Sequence, residues 1–262
     1  MSLTKRLALI TGASSGIGQA FARRLAADGY DLVVVGRRID RLNALVVEFP
    51  KVDVTPLAAD LATDAGIAIV AQVCAREALT LLINNAGVAH YMPFVDLPAA
   101  KVSELLRVKV VAPTLLAHAA SPGMVARGEG AIINVSGMLA FSGPASIEKL
   151  PLRRAVYTAS LAHIVALSQT LNEELNPHGV RVQALCPGVV ATEFHERQGL
   201  DLSAMPRMSA EDVVVAGLRG LELGEVVCAP GVERSDLLEA IFSADLAAFA
   251  AQGAKLAARY SA

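Results

Sequence analysis

The sequence predicts an α/β protein built on a parallel sheet that is covered by helices on both faces. Short apolar runs of strand length alternate with longer amphipathic segments, as in successive βαβ units with right-handed crossovers. Hydrophobic residues make up 54% of the 262 residues and charged residues only 18%, which suits strands that are buried on both sides. No internal repeat or linker divides the chain, so residues 1–262 are expected to form one domain.

The alternation predicts seven strands, with helices between them. Strands are expected at 7–11, 31–36, 54–59, 80–84, 131–136, 180–186 and 225–229. Helices are expected at 17–27, 38–49, 64–78, 99–120, 155–176 and 210–223. The tail from 234 to 260 carries apolar residues at roughly helical spacing, which indicates a helical extension that packs on the body or on a neighbouring subunit.

Charge and cysteine usage exclude several classes of protein. A net charge of -2 gives no basis for binding nucleic acid or an anionic membrane. The longest uncharged stretch, 110–126, is interrupted by proline, histidine and glycine and is too short for a membrane span. The N-terminus lacks a signal-peptide core. Three scattered cysteines indicate free thiols in a reducing cytoplasm, and no histidine or cysteine spacing indicates a metal site.

A glycine-rich turn between the first strand and the first helix is the strongest motif. Its glycines permit a tight turn and let a pyrophosphate approach the backbone at the start of the helix, where free N–H groups and the helix dipole favour anions. A glycine-rich turn alone is weak evidence, but its position after a strand and before a helix makes a purely structural role the poorer interpretation. The predicted cofactor contacts of this turn are Gly12, Ser14, Ser15, Gly16, Ile17 and Gly18.

The spacing of this turn, Gly-x-x-x-Gly-x-Gly, resembles that of the short-chain dehydrogenase/reductase family. Three further motifs are similar to family motifs: Asp60-Leu61 after the third strand, Asn84-Asn85-Ala86-Gly87 after the fourth, and the segment 187–192 (Pro-Gly-Val-Val-Ala-Thr) after the sixth. The resemblance spans about residues 5 to 230 and implies a doubly wound Rossmann fold. It also implies cofactor contacts from Asp60, Leu61, Asn85, Ala86, Gly87, Tyr157, Pro187, Gly188, Val189 and Thr192.

The end of the second strand predicts which nucleotide is bound. An acidic residue there would bind the ribose hydroxyls of NAD and repel a 2′-phosphate. This chain has Arg37, followed by Arg38. A guanidinium can pair with the phosphate and stack on the adenine, so NADP(H) is the predicted cofactor. The alternative is a solvated arginine pair that opens a helix.

The catalytic positions depart from the family pattern. Members of the family usually carry an Asn–Ser–Tyr–Lys tetrad, in which tyrosine is the acid/base. The tyrosine is present as Tyr157, whereas Leu161 stands at the lysine position, Gly137 at the serine position and Lys109 at the asparagine position. A lysine is thus lost at one position and gained at another that the fold brings near it, much as in the ketoreductase domains of modular polyketide synthases.

Two questions about chemistry stay open in the sequence. Lys109 is either a relocated catalytic cation or a lysine that merely extends to solvent from an apolar helix. The missing serine is replaced by Ser136, if the strand end shifts by one residue, or by Ser142 or Ser146 in the loop that follows. That loop is longer than the family normally shows, and it either brings its charged residues over the substrate or is only a solvated excursion.

The resulting prediction is an NADP(H)-dependent oxidoreductase that interconverts a small-molecule carbonyl and its alcohol. Tyr157 would be the acid/base, Lys109 would lower its pKa, and Ser136 would hold the substrate oxygen. The alternatives are a catalytically inactive dinucleotide-binding relative and a non-redox lyase or cyclase on the same scaffold. Helices at 110–120 and 159–171 are apolar on more faces than one sheet can cover, which indicates a homodimer or homotetramer.

Overall fold

The computed structural model describes residues 6–145 and 153–260, and in this part of the chain seven parallel strands form one sheet. The strands are β1 (Leu7–Thr11), β2 (Asp31–Gly36), β3 (Val54–Ala58), β4 (Leu81–Asn84), β5 (Gly130–Val135), β6 (Val180–Leu185) and β7 (Val227–Cys228). The helices are α1 (Gly16–Ala27), α2 (Ile39–Glu48), α3 (Asp64–Arg76), α4 (Ala99–Leu106), α5 (Ala112–Arg127), α6 (Ala155–Leu175), α7 (Phe194–Arg197), α8 (Ala210–Leu223) and α9 (Asp236–Ala250). The predicted doubly wound, seven-stranded parallel sheet is confirmed.

Each face of the sheet packs against its own set of helices because successive strand residues point to opposite sides. In β2, Val33 and Val35 join one apolar core, which includes residues of α3, α5 and α6. Leu32 and Val34 join the other core, which includes residues of α1, α2 and α8. All four are buried, which explains why the sequence shows continuous apolar runs instead of alternation.

The prediction of one continuous helix at 99–120 is wrong. A π turn at Arg107–Val111 separates α4 from α5, and within it the N–H of Ala112 bonds the carbonyl of Arg107. Pro113 has no N–H with which to bond the carbonyl of Lys109 four residues earlier, so an ordinary α-helical ladder cannot continue there. The π turn absorbs this break, and α5 then runs on to Arg127.

The order of the strands fixes where a ligand can bind. It is β3-β2-β1-β4-β5-β6-β7, so the chain winds in one direction from β1 to β3 and in the other from β4 onward. Loops that follow β1 and β4 therefore diverge and leave a crevice at the carboxyl ends of the strands. The predicted cofactor motifs all lie in loops at this edge of the sheet.

The chain forms two compact units, Met1–Pro230 and Gly231–Ala262. In the second unit α9 ends at Ala250, so the predicted tail helix is shorter than expected. Its apolar side chains include the exposed Leu237, Leu246 and Phe249. Over the described ranges, no helix is both long and apolar enough to cross a membrane.

Candidate active site

A cavity of about 740 Å³ opens at the carboxyl ends of the strands. Its wall includes Tyr157, Lys109 and Ser136 together with every predicted cofactor contact except Gly18. Gly18 instead packs under the glycine-rich turn, where an added Cβ would collide with the carbonyl of Gly12. One cavity thus brings together residues that follow six different strands.

The glycine-rich turn is held by residues from β4 and its loop. The hydroxyl of Thr11 accepts hydrogen bonds from the N–H groups of Asn85 (2.9 Å) and Ala86 (3.0 Å), and the Asn85 amide donates to the carbonyl of Thr11 (3.0 Å). Gly12 has φ +69, and a Cβ on it would lie 2.8 Å from the Asn85 amide nitrogen. Only glycine fits there. The turn then leads into α1, whose first N–H groups face a site that suits a pyrophosphate.

Arg38 forms an anion-binding arrangement at the mouth of this turn. Its Nη2 donates to the hydroxyls of Ser14 (3.0 Å) and Ser15 (2.9 Å) and to Oε1 of Glu193 (2.9 Å). Arg197 also pairs with the Glu193 carboxylate, at 2.8 Å. Burial raises the pKa of Glu193, but hydrogen bonds from Arg38 and Ser15 and the charges of both arginines outweigh it and lower that pKa to about 2. The Glu193 carboxylate therefore accepts hydrogen bonds from donors that a bound anion could use in its place.

Arg37 has a different environment from Arg38. Its side chain is exposed, whereas that of Arg38 is partly buried against the turn. Both residues nevertheless line the cavity. Arg41 adds a further positive charge on α2, with its Nη1 3.2 Å from the Glu193 carboxylate. The segment between β2 and α2 thus presents two arginines to one edge of the cavity, and Arg41 pairs with Glu193 beside them.

Tyr157 lies near the start of α6 and is buried. Its ring meets that of Tyr91 edge to face, with centroids 5.6 Å apart and planes at 78°. Each phenol also shifts the pKa of the other. Phe194 lies on another side, with its ring centroid at 6.4 Å. Burial raises the pKa of Tyr157, and Tyr91 raises it further, so the phenol carries its proton at neutral pH. The prediction that Lys109 lowers this pKa is therefore wrong for the protein without cofactor.

Lys109 does not extend to solvent, so that alternative is wrong. The side chain is 5% exposed, and its Nζ donates to the carbonyl of Val135 at 2.9 Å. A Cβ added to Gly87 would lie 3.6 Å from the same Nζ, which shows how closely the lysine packs against the loop after β4. Burial lowers the pKa of Lys109 to about 8, and the thiol of Cys186 offsets part of this shift.

The two positions that lost polar side chains face each other. Leu161 is fully buried, and a Cβ on Gly137 would lie 3.5 Å from its Cδ1. Ser136 donates its hydroxyl to the carbonyl of Leu161 at 2.9 Å. Because a serine has one hydroxyl proton, this geometry does not support the prediction that Ser136 replaces the missing donor. Ser142 donates to the carbonyl of Leu139 at 2.9 Å, and Ser146 lies outside the described residues.

Sequence reasoning missed the two contacts that shape this site most, Tyr91 with Tyr157 and Glu193 with Arg38. Tyr91 stands four residues after the Asn-Asn-Ala-Gly motif, and no pattern marks it. Glu193 follows Thr192 directly, and its proximity to the arginines of β2 and α2 is a property of the fold. In the described ranges, no group of three or more His, Cys, Asp or Glu side chains could hold a metal ion.

A sheet of this order with a glycine-rich turn at its switch point defines a dinucleotide-binding α/β protein. Residues 6–202 match the family described as short chain dehydrogenase. The chain belongs to that family, whose members are oxidoreductases that use a nicotinamide dinucleotide.

Solved structures resemble the chain over nearly its whole length. A short-chain dehydrogenase from Sphingobium yanoikuyae, in complex with NADPH, is 36% identical with a TM-score of 0.91, over 97% of this chain and 100% of that one. An alcohol dehydrogenase from Comamonas testosteroni, described as specific for bulky-bulky ketones, is 30% identical with a TM-score of 0.88, over 99% of this chain and 100% of that one.

Curated relatives match over a shorter part. A very-long-chain 3-oxoacyl-CoA reductase from Pyrenophora tritici-repentis is 35% identical over 71% of this chain and 55% of its own length. An inactive hydroxysteroid dehydrogenase-like protein 1 from Homo sapiens is 31% identical over 72% of this chain and 57% of its own length. The chain thus spans little more than half the length of these two relatives.

Proposed function

We propose that this chain is an NADP(H)-dependent oxidoreductase that interconverts a carbonyl and an alcohol. One observation carries the proposal: the phenol of Tyr157 lies on the wall of the same cavity as the glycine-rich turn and the two arginines that follow β2. A proton donor and a dinucleotide site that share one cavity suit hydride transfer coupled to protonation of an oxygen.

The preference for NADP(H) over NAD(H) rests on charge. Arg37 and Arg38 stand where an acidic residue would select NAD(H), and the serine hydroxyls of the turn lie beside Arg38. We assign Arg38 to the 2′-phosphate of the cofactor. Glu193 supports this assignment because its carboxylate shows that Arg38 can bind an anion at this position. The relative from Sphingobium yanoikuyae holds NADPH.

In the proposed reduction each residue has a separate task. A bound NADPH supplies the hydride. Tyr157 donates its proton to the substrate oxygen, because burial keeps the phenol protonated at neutral pH. Lys109, with a pKa of about 8, carries its proton at pH 7 and supplies a positive charge that favours the phenolate left behind. The 5% exposure of Lys109 keeps water from weakening this charge.

The substrate is proposed to carry large apolar groups on its carbonyl. The wall of the cavity includes five apolar side chains outside the predicted cofactor motifs, namely Met138, Leu139, Phe194, Leu202 and Met205. Such side chains favour apolar substituents. The Comamonas testosteroni relative, named for bulky ketones, agrees with this assignment.

The test is NADPH consumption with a panel of ketones: acetophenone, benzophenone and 2-decanone. We expect turnover by the unmodified protein and its loss in Tyr157→Phe, which keeps the ring and removes the acid. Calorimetry should show that the folded variant still binds NADPH. No turnover of any ketone by a folded protein that binds NADPH would refute the proposal.

A second candidate is a protein that binds NADP(H) without turning it over. The apolar Leu161 at the family's lysine position favours it, as does the inactive human relative. The same experiment separates the two functions, because the second requires nucleotide binding without oxidation. We further propose that the chain is a homo-oligomer and works in the cytoplasm, where its buried Cys74, Cys186 and Cys228, all free, would stay reduced.

A further inference from the structure

A carbonyl oxygen in this cavity needs a second hydrogen-bond donor besides Tyr157. An oxygen that gains negative charge during hydride transfer is stabilised by preorganised donors, and each such donor contributes roughly 10²–10³ in rate. Gly137 has no side chain to offer. Ser136 is committed to the carbonyl of Leu161, and Ser142 to that of Leu139. Another group on the wall of the cavity must supply the donor.

We propose that Tyr91 is this second donor, a catalytic hydroxyl that hydrogen-bonds the substrate oxygen while Tyr157 delivers the proton. This inference rests on the proposed function and adds a residue to it. Tyr91 and Tyr157 line the same cavity, and their rings meet edge to face at 5.6 Å. The two phenols therefore lie side by side on the wall of the cavity.

The contact between the two phenols suits an oxygen that accepts two hydrogen bonds. A carbonyl oxygen has two lone pairs, and two neighbouring phenols on one cavity wall can each donate to one of them. A substrate oxygen that accepts from both would leave no buried phenol without a partner.

The surroundings of Tyr91 hold it in place and favour donation. His90 bonds Glu104 on α4, with 3.0 Å between Nε2 and Oε2, which fixes the backbone just before Tyr91. Burial raises the pKa of Tyr91 to about 12, while the neighbouring hydroxyl of Tyr157 and the charge of Arg154 act in the opposite direction. Tyr91 therefore keeps its proton at neutral pH, and the nearby guanidinium strengthens it as a donor.

The proposed step balances in atoms and electrons. The hydride with its electron pair moves from the reduced nicotinamide to the carbonyl carbon, and the proton of Tyr157 moves to the oxygen. The carbonyl is reduced to an alcohol and the nicotinamide is oxidised. Tyr91 donates a hydrogen bond throughout and loses no proton. The phenolate on Tyr157 then takes up a proton from solvent.

The experiment compares Tyr91→Phe with the double variant Tyr91→Phe/Gly137→Ser in ketone reduction by NADPH. Phenylalanine keeps the ring contact with Tyr157 and removes only the hydroxyl. Serine fits at position 137 because the backbone there is extended, with φ 170, and a Cβ meets only ordinary contacts at 3.5 Å and 3.6 Å. Tyr260→Phe is the matched control, since it makes the same change at an exposed site.

We expect kcat to fall about 100-fold in Tyr91→Phe, with NADPH affinity by calorimetry unchanged, and to recover at least tenfold when serine is added at position 137. Activity within threefold of the unmodified protein in Tyr91→Phe overturns the inference and leaves the proposed function intact. Loss of activity that serine does not restore assigns Tyr91 a packing role and overturns it as well. If the unmodified protein reduces no ketone, the proposed function and the inference both fall.

Discussion

Replacing Lys109 with methionine should stabilise the fold while it removes activity. Burial lowers the pKa of the lysine from 10.5 to about 8. At about 1.4 kcal/mol for each tenfold change in acidity, holding the charge inside costs about 3 kcal/mol at pH 7. Methionine has a similar length and no charge, but it leaves the carbonyl of Val135 without this donor, at about 1 kcal/mol. The net gain in the free energy of unfolding is about 2 kcal/mol.

The gain in the free energy of unfolding of Lys109→Met should depend on pH, in a direction that the pKa shift of Lys109 sets. Because the folded-state pKa lies below the unfolded value, the unfolded chain binds more protons between pH 8 and 10.5. The stability of the unmodified protein therefore rises with pH across this interval as Lys109 loses its proton, and the methionine variant lacks this contribution. The advantage of Lys109→Met should be complete below pH 8 and absent at pH 10.5.

Urea denaturation without nucleotide, at pH 7 and pH 10.5, measures this difference. Lys101→Met is the control because Lys101 is exposed on α4, and its stability should change by less than about 0.5 kcal/mol. In parallel, Lys109→Met should lose ketone reduction about as completely as Tyr157→Phe. A methionine variant that is less stable at pH 7, or whose difference does not vary with pH, would refute the reasoning; full activity would refute the catalytic role.

Three further predictions concern the cofactor and the assembly. Arg37→Asp should reverse or erase a preference for NADPH over NADH in calorimetry, and equal affinities in the unmodified protein would contradict the assignment. Glu193→Gln should tighten NADPH binding about threefold to tenfold and NADH binding less, because it frees Arg38 from a partly exposed ion pair; unchanged binding would show that the carboxylate does not compete. Leu115→Glu, at an apolar position of α5 that is 45% exposed, should convert a homodimer or homotetramer into monomers in light scattering, and a monomeric unmodified protein would exclude this interface.

Local patterns were enough to predict the fold and the motifs whose residues line the cavity. The glycine-rich turn, the apolar strands and the motifs after β3, β4 and β6 each depend on neighbouring residues, so a sequence carries them directly. Their positions at strand ends follow from the parallel sheet, which brings all carboxyl ends to one edge. The residues predicted to contact the cofactor thus line the cavity, except Gly18, which packs under the glycine-rich turn.

The contacts between distant side chains could not be predicted in this way. Glu193 bonds Arg38 across 155 positions, and Ser136 bonds the carbonyl of Leu161 across 25. Such pairings depend on side-chain rotamers and on the exact position of each helix. No periodic pattern in the sequence encodes either of them. The π turn is a partial exception, since Pro113 alone signals that an α-helical bond is missing there.

The apolar Leu161 on the wall of the cavity affects how Tyr157 regains its proton after the reaction. The Leu161 side chain has no contact with solvent and closes the space beside Gly137. A hydrocarbon side chain cannot relay a proton, so Tyr157 cannot be reprotonated by water from that side. In the proposed reaction Tyr157 would regain its proton from the open cavity, which a bound substrate would fill. Proton uptake would then follow the departure of the product.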